Sequence, residues 1–355
     1  RQRHLTIPCE MCIRDRSSAD NQVMRKLQNE LRMKTLYIIG NGFDLYHGLD
    51  TKYQSFAKFL ADNNNEIYDL LLTYYGLPDI SKNPISDSDY AEWANFESSL
   101  ANLDYNQVLA DNSDAAANPF SSDFRDGDWH TYQIYMEEII EKLTKRLSSI
   151  FNSFILSIIY PDKVDDKKIK LELDSIFLNF NYTETLEKYY GIKNTKICYI
   201  HNKSIDSESK IYLGHGTDPS KFEEKQPKPP AGLDEEGLAE WEEYISDQYE
   251  YSYESAKSEI LSYYTKAFKN TQTITEINID FFEKLNEVKK VFVLGHSISS
   301  VDLEYFKLIV KKIDKNAKWN VSYYSDYEKK AHIDTLLNLE VVNENIKQIR
   351  IESLK

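Results

Sequence analysis

Positive charge is in short supply: 43 Lys and Arg stand against 58 Asp and Glu, a formal net charge of −15. A chain this acidic has no general attraction to nucleic acid or anionic lipid, so a small molecule or a protein is the expected partner. Cysteine is scarce as well, and three in 355 residues cannot build a disulfide framework. Long apolar runs are missing. No stretch approaches the roughly 20 residues that a membrane helix needs, and no secretory signal of the usual three-part form is present. The expected location is the cytoplasm, without nucleic-acid or membrane partners. There is no internal repeat and no low-complexity block. What the chain does have is a hydrophobic content of 41% over 355 residues, enough for a sizeable core in one large domain or two ordinary ones.

The opening "RQRHLTIPCEMCIRDRSSADNQ" (Arg1 to Gln22) carries neither a helical nor a strand period. Its Cys9 and Cys12 form one C-x-x-C with no second pair and no histidine cluster beside it, which is weak support for zinc or redox chemistry. The segment resembles translated sequencing-adapter sequence. Residues 1–32 are therefore read as a non-native or disordered leader, with Met33 as the natural start, and are set aside from the fold. Residues 33–355 are read as a single domain.

Tyrosine is abundant, 26 of 355, often in acidic helical text such as "YISDQYEYSYES" (Tyr244 to Ser255). Such residues suit amphipathic packing, with a hydroxyl left in water, or a partner surface.

"KTLYIIG" (Lys34 to Gly40) is a short apolar run stopped by glycine, the form of a parallel strand covered on both faces. From Tyr53 to about Ile159 the spacing is mostly helical, with loops and short helices over about Pro78 to Asp128. "LDSIFLNFNYTETLEKYY" (Leu173 to Tyr190) reads as strand, turn and helix. "KICYIHN" (Lys196 to Asn202) and "KIYLGHG" (Lys210 to Gly216) read as strands. After a helical stretch, "VKKVFVLGHSISSVDLEYFKLIV" (Val288 to Val310) again reads strand, glycine turn, helix. "WNVSYYSD" (Trp319 to Asp326) is a strand followed by a helix, and "IKQIRIES" adds an edge strand. The alternation predicts an α/β fold: a doubly wound, mostly parallel, Rossmann-like sheet with helical insertions at about 53–170 and 219–287. In such sheets ligands bind beyond the carboxyl ends of the strands, where the turns after Ile39, Phe180 and Leu294 converge.

Gly40-Asn41-Gly42 can bring backbone N–H groups up to a phosphate, or can simply make a tight strand-to-helix turn. The dinucleotide fingerprint wants a third glycine where Leu45 stands. On the ligand reading, a side chain at Gly42 blocks binding and spares the fold. Asp44 has two readings. A carboxylate near a helix start caps N–H groups. Beside a nucleotide it would instead face the sugar, stabilising charge as an N-glycosidic bond breaks. Asn181 could hold a ribose hydroxyl or a water, or cap the helix beginning near Thr183. His201, His215 and His296 all end predicted strands, suited to proton transfer or to structural hydrogen bonds. Their spacing gives no chelating pair, so no metal is expected. "GHSISSVD" (Gly295 to Asp302) is not G-x-S-x-G, which removes a hydrolase elbow at Ser297. It reads as a second ligand turn, with Ser299 or Ser300 capping the helix. Trp93, Phe96 and Glu97 lie on one helical face, suited to core packing.

Together, "YIIGNGFDLYHGLDTKYQSF", "FLNFNYTETLEKYY", "YIH" and "VFVLGHSISSVDLEYF" resemble the bacteriophage abortive-infection AbiH family, from Met33 to the C-terminal region. The resemblance implies an antiphage role, with a phage or host protein as trigger. More distantly, the chain resembles sirtuin-like Rossmann domains of antiphage NAD-cleaving effectors. Thr183 stands where an acid is expected and Asn202 where a glycine often follows the histidine. That resemblance implies NAD or a related nucleotide as ligand or substrate rather than a resident cofactor, and an NAD glycohydrolase activity. Asp44, Asn181 and His201 are then the catalytic candidates. Gly40, Asn41, Gly42, Phe43, Tyr182, Thr183, His215, Gly295, His296, Ser297 and Asp302 are the binding candidates. The alternative is a non-catalytic phage-sensing or protein-interaction module on the same scaffold. The oligomeric state is left open.

Overall fold

The computed structural model describes residues 34–81, 86–224, 228–247 and 250–355. The expected leader, with Cys9 and Cys12, lies outside the described residues, as do the side chains of Tyr244 and Tyr249. Of the same tyrosine-rich stretch, Tyr251 is exposed and Tyr253 packs partly into the helical core.

Six strands form one all-parallel sheet: β1 Lys34–Ile39, β2 Ile176–Asn179, β3 Ile197–Tyr199, β4 Val288–Leu294, β5 Lys318–Ser322 and β6 Ile346–Ile349. Their order is β3-β2-β1-β4-β5-β6. The doubly wound sheet read from the alternation is what the chain forms. β1 is central, paired on one side with β2 (Tyr37 opposite Phe177) and on the other with β4 (Tyr37 opposite Phe292). The three rings stack across the strands, with centroids 5.1 and 4.9 Å apart. Alternate residues of β1 enter opposite cores. Leu36 and Ile38 join Val291, Val293, Trp319 and Val321, while Tyr37 and Ile39 join Phe43, Phe177 and Leu294. Burial on both faces explains why this strand reads as an unbroken apolar run.

The helices that matter for the site are α1 (Asn41–His47), α2 (Tyr53–Asn63), α3 (Asn65–Tyr75), α4 (Thr131–Glu141), α5 (Leu147–Ser157), α6 (Thr185–Tyr190), α7 (Tyr251–Leu261), α8 (Leu303–Lys312) and α9 (Asp326–Asn338). In α5, Leu147, Phe151, Phe154 and Ile155 share one buried face, the helical stripe that seats it. With α2, α3, α4 and α7 it builds a third core that also takes in Trp93 and Phe96.

One expected strand is absent. Lys210 to Gly216 makes a single bridge, His215 with Phe268, held by His215 N–H to the Ala267 carbonyl (3.0 Å) and Lys269 N–H to the His215 carbonyl (2.8 Å). Its apolar residue Ile211 is buried in the helical core, with Leu213 packed against it. A short apolar run has the same period whether a sheet or a set of helices covers it.

Candidate functional site

The strand order reverses direction between β1 and β4, so the turns after these strands flank the topological switch point, where ligands of such sheets bind. Here the two turns are closed on one another. Gly40 N–H donates to the Leu294 carbonyl (3.0 Å), Gly42 N–H to the Gly295 carbonyl (2.7 Å) and Phe43 N–H to the Gly40 carbonyl (2.9 Å). A Cβ on Gly42 would lie 2.9 Å from Gly295 Cα, and one on Gly295 only 2.1 Å from the Phe43 nitrogen. Gly295 also holds φ at +66°, which side chains disfavour. The glycines thus let one backbone approach another. Sparing the fold on substitution of Gly42, as the ligand reading expects, does not follow, because the neighbouring turn already fills that space. Asn41 is turned outward and exchanges hydrogen bonds with Thr51, Nδ2 to the carbonyl at 3.0 Å and Oδ1 from the hydroxyl at 2.5 Å.

Asp44 does not cap α1. Gly40 is the cap residue and makes no side-chain bond. Instead the Asp44 carboxylate, 1% exposed, accepts from the Thr183 hydroxyl (2.5 Å) and the Thr185 hydroxyl (2.7 Å), one on each oxygen. Burial raises its pKa to about 6, against the opposing effect of the bonds from Thr183, Thr185 and Asn181. Asn181 is no cap either, since α6 begins at Thr185 after Glu184. Its Nδ2 donates to the Gly40 carbonyl (3.0 Å), tying the turn after β2 to the turn after β1. Thr183, the departure from the expected acid, is therefore the partner of an acid held on α1.

A second cluster meets this one at Tyr182. The Asp302 carboxylate lies between two imidazoles, with Oδ1 3.5 Å from His201 Nε2 and Oδ2 3.4 Å from His296 Nε2. Ile298 N–H donates to His296 Nδ1 (2.9 Å), which leaves the hydrogen of a neutral His296 on the nitrogen facing Asp302. Ser299 donates to the same carboxylate (3.4 Å), and Asp302 itself precedes α8, so neither Ser299 nor Ser300 is the cap. Burial, then the charge of Lys269, lowers His201 to about 3 and keeps it neutral. Burial alone would raise Asp302, but the His296 bond and the Lys269 charge outweigh it and hold the carboxyl well below its ordinary range. The other side of the His201 ring faces the Phe180 carbonyl. With its hydrogen there, His201 Nε2 is an acceptor aimed at another acceptor, Asp302 Oδ1. Both atoms are buried and have no hydrogen-bond partner among the described residues. A water with one hydrogen for each would satisfy both, and a hydroxyl would satisfy one of them.

Lys269, with no exposed side-chain surface, pairs with Glu97 on the short helix Phe96–Ser99. Glu97 also accepts from Tyr53 (2.7 Å) and Tyr182 (3.2 Å), and the Tyr182 hydroxyl reaches the Tyr212 carbonyl (2.9 Å). Trp93 packs in the core as its helical face suggests, and its Nε1 donates to the Pro78 carbonyl (2.9 Å).

The structure thus brings together Gly40, Gly42, Phe43, Asp44, Asn181, Tyr182, Thr183, His201, Gly295, His296 and Asp302. Among the described residues no hydrogen bond joins Asp44 to His201 or Asp302, so they form two adjoining clusters. His215 lies elsewhere, fully buried among Phe222, Tyr263, Tyr264 and Phe268, because the segment carrying it is not a strand. Ser297 is exposed beyond the β4 turn. Sequence reading missed Lys269, Tyr53, Tyr305, whose ring centroid lies 5.7 Å from that of His201, and the buried His332. A lone buried lysine in "KAFKN" leaves no periodic signal. Among the described residues no group of three His, Cys, Asp or Glu side chains is placed to hold a metal, and no helix is long and apolar enough to cross a membrane.

No curated protein and no solved structure matched the chain, the sirtuin-like comparison included. One family model did, bacteriophage abortive infection AbiH, over residues 36–323. That span runs from within β1 to the end of β5, takes in both polar clusters and exceeds half of the chain, so this protein belongs to the bacteriophage abortive-infection AbiH family.

Proposed function

We propose that this AbiH-family chain is an antiphage abortive-infection effector that binds a nucleotide, NAD or a relative, at the carboxyl edge of its sheet and cleaves its N-glycosidic bond. The observation that carries the reading is the orphan pair His201 Nε2 and Asp302 Oδ1. They are two buried acceptors beside the switch point of a sheet with Rossmann strand order. Two acceptors cannot satisfy each other; an attacking water supplies a donor to each, and a ribose hydroxyl a donor to one. Neutral His201 accepts a hydrogen bond at Nε2 and Asp302 another at Oδ1, which orients the water for attack; a ring lowered to about 3 is too weak a base to take its proton, which passes to solvent. Asp44, the carboxylate held on α1 by Thr183 and Thr185, would oppose positive charge developing on a sugar. The closed turns bear on how such a ligand is held. Gly42 N–H already donates to Gly295, so phosphates are met by other groups or after the two turns part.

The test is to incubate the purified protein with NAD, with and without phage lysate, and to follow nicotinamide release for the native protein and for Asp302→Asn. Release that depends on Asp302 supports the reading. No binding and no release in either condition overturns it in favour of a non-catalytic sensor on the same scaffold. That second reading is favoured by one observation: the Gly40–Gly42 and Gly295 turns, and the Asp44–Thr183–Thr185 set, are each satisfied internally.

A further inference from the structure

A cavity of about 440 Å³ opens beside the helical core, and its lining reaches Tyr212 and Lys269, neighbours of the His201 and Glu97 cluster. It lies between the start of α5 and the two segments bridged through His215 and Phe268. Its size falls within the range of small-molecule sites. Its walls are mostly apolar, with Leu143, Leu147 and Leu213 prominent. Three lysines complete the lining, Lys145, Lys266 and Lys269, and no carboxylate belongs to it. In a chain of net charge −15 this is a local inversion of sign. Lys145 is exposed. Lys266 is exposed too and leans toward Glu259 (2.7 Å). Lys269 lends the wall its stem, while its ammonium is held by Glu97.

We propose that this cavity is a binding site for a small amphipathic anion, with its apolar body against the leucines and its anionic group at the Lys145 and Lys266 rim. The chemistry follows from the lining. Apolar walls exclude a fully hydrated ion; Lys266 meets Glu259 and Lys269 meets Glu97, so the excess of positive charge comes from the exposed Lys145, and it favours an anion over a neutral or cationic molecule. The bound molecule abuts Lys269, the residue whose charge neutralises Glu97 and acts on Asp302. The site stands independently of the nucleotide reading.

The probe is anilinonaphthalene sulfonate, an amphipathic anion, titrated into the full chain beside its uncharged counterpart phenylnaphthylamine. One saturable site per chain is expected for the anion. Lys145→Glu reverses a charge at the rim and should weaken the anion roughly tenfold, as a two-charge change a few ångströms away in high dielectric predicts, while leaving the neutral probe unchanged. Ser148→Trp, at a partly exposed lining position, fills the cavity and should remove binding of both. The proposal is overturned by the absence of a saturable anion site in the native protein, by unchanged anion affinity in Lys145→Glu, or by equal loss of both probes in that variant. Should Ser148→Trp fail to unfold cooperatively, Lys145→Glu, at an exposed position, decides alone.

Discussion

Replacing Asp44 by Asn should change how stability depends on pH more than it changes stability at any one pH. The carboxylate is 1% exposed, and its pKa rises from an ordinary 3.8 to about 6. A folded-state pKa above the unfolded one means that the folded protein holds this proton more tightly. The associated stability is complete below pH 3.8 and is lost as pH climbs through about 6. A shift of this size, at 1.36 kcal/mol per unit, amounts to about 3 kcal/mol lost by the native protein over that window. The Asn variant has no proton to lose there. It does forfeit one acceptor, since an amide has a single oxygen for the Thr183 and Thr185 hydroxyls, at a cost of about 1–3 kcal/mol that does not vary with pH. The variant-minus-native difference in unfolding free energy, from urea titrations between pH 4 and 8, should therefore move by about 2–3 kcal/mol in favour of the variant as pH rises. Every other titrating group cancels in that difference. Parallel curves would refute the raised pKa, and movement in the opposite direction would mean that the hydroxyl bonds outweigh burial.

Lys269→Met strands the Glu97 carboxylate in the core and should destabilise by about 3–5 kcal/mol, with most of the loss recovered when Glu97→Gln is added. Urea unfolding of both single variants and the double variant checks this, and strictly additive losses would contradict the pairing. Gly295→Ala puts a Cβ 2.1 Å from the Phe43 nitrogen at φ +66° and should lose about 2 kcal/mol or more. A thermal melt at native stability would show that the turns are not closed on each other. Asp302→Asn should abolish protection in a phage plating assay while unfolding stays cooperative, with about 1.5–3 kcal/mol lost for the charge-assisted bond to His296. Full protection by this variant would remove the His201–Asp302 pair from function.

The sheet was legible because its signals are local. Leu36 to Ile39, Val291 to Leu294 and the glycines that stop them state a doubly covered parallel strand within a few residues, and the alternation with helices fixes the topology class. Much of the site was legible by the same route, since a parallel sheet must present all its strand carboxyl ends on one edge, and this placed Asn181, His201 and Gly295 near Gly40. The partners on that edge were not legible. Thr183 and Asp44 lie 139 residues apart, and Glu97 and Lys269 lie 172 apart. No period links such pairs, and each residue has an ordinary surface or capping role in local terms. His215 shows the converse. Its apolar neighbours promised a strand, and tertiary packing gave them a helical core instead. The sequence by itself determined which segments are apolar and where the chain turns. Only the folded chain decided what each turn meets: Gly42 meets the backbone of Gly295, Asp44 meets two threonine hydroxyls, and Asp302 meets two histidines. These are contacts between distant segments, settled by which side chains the packed cores leave room for.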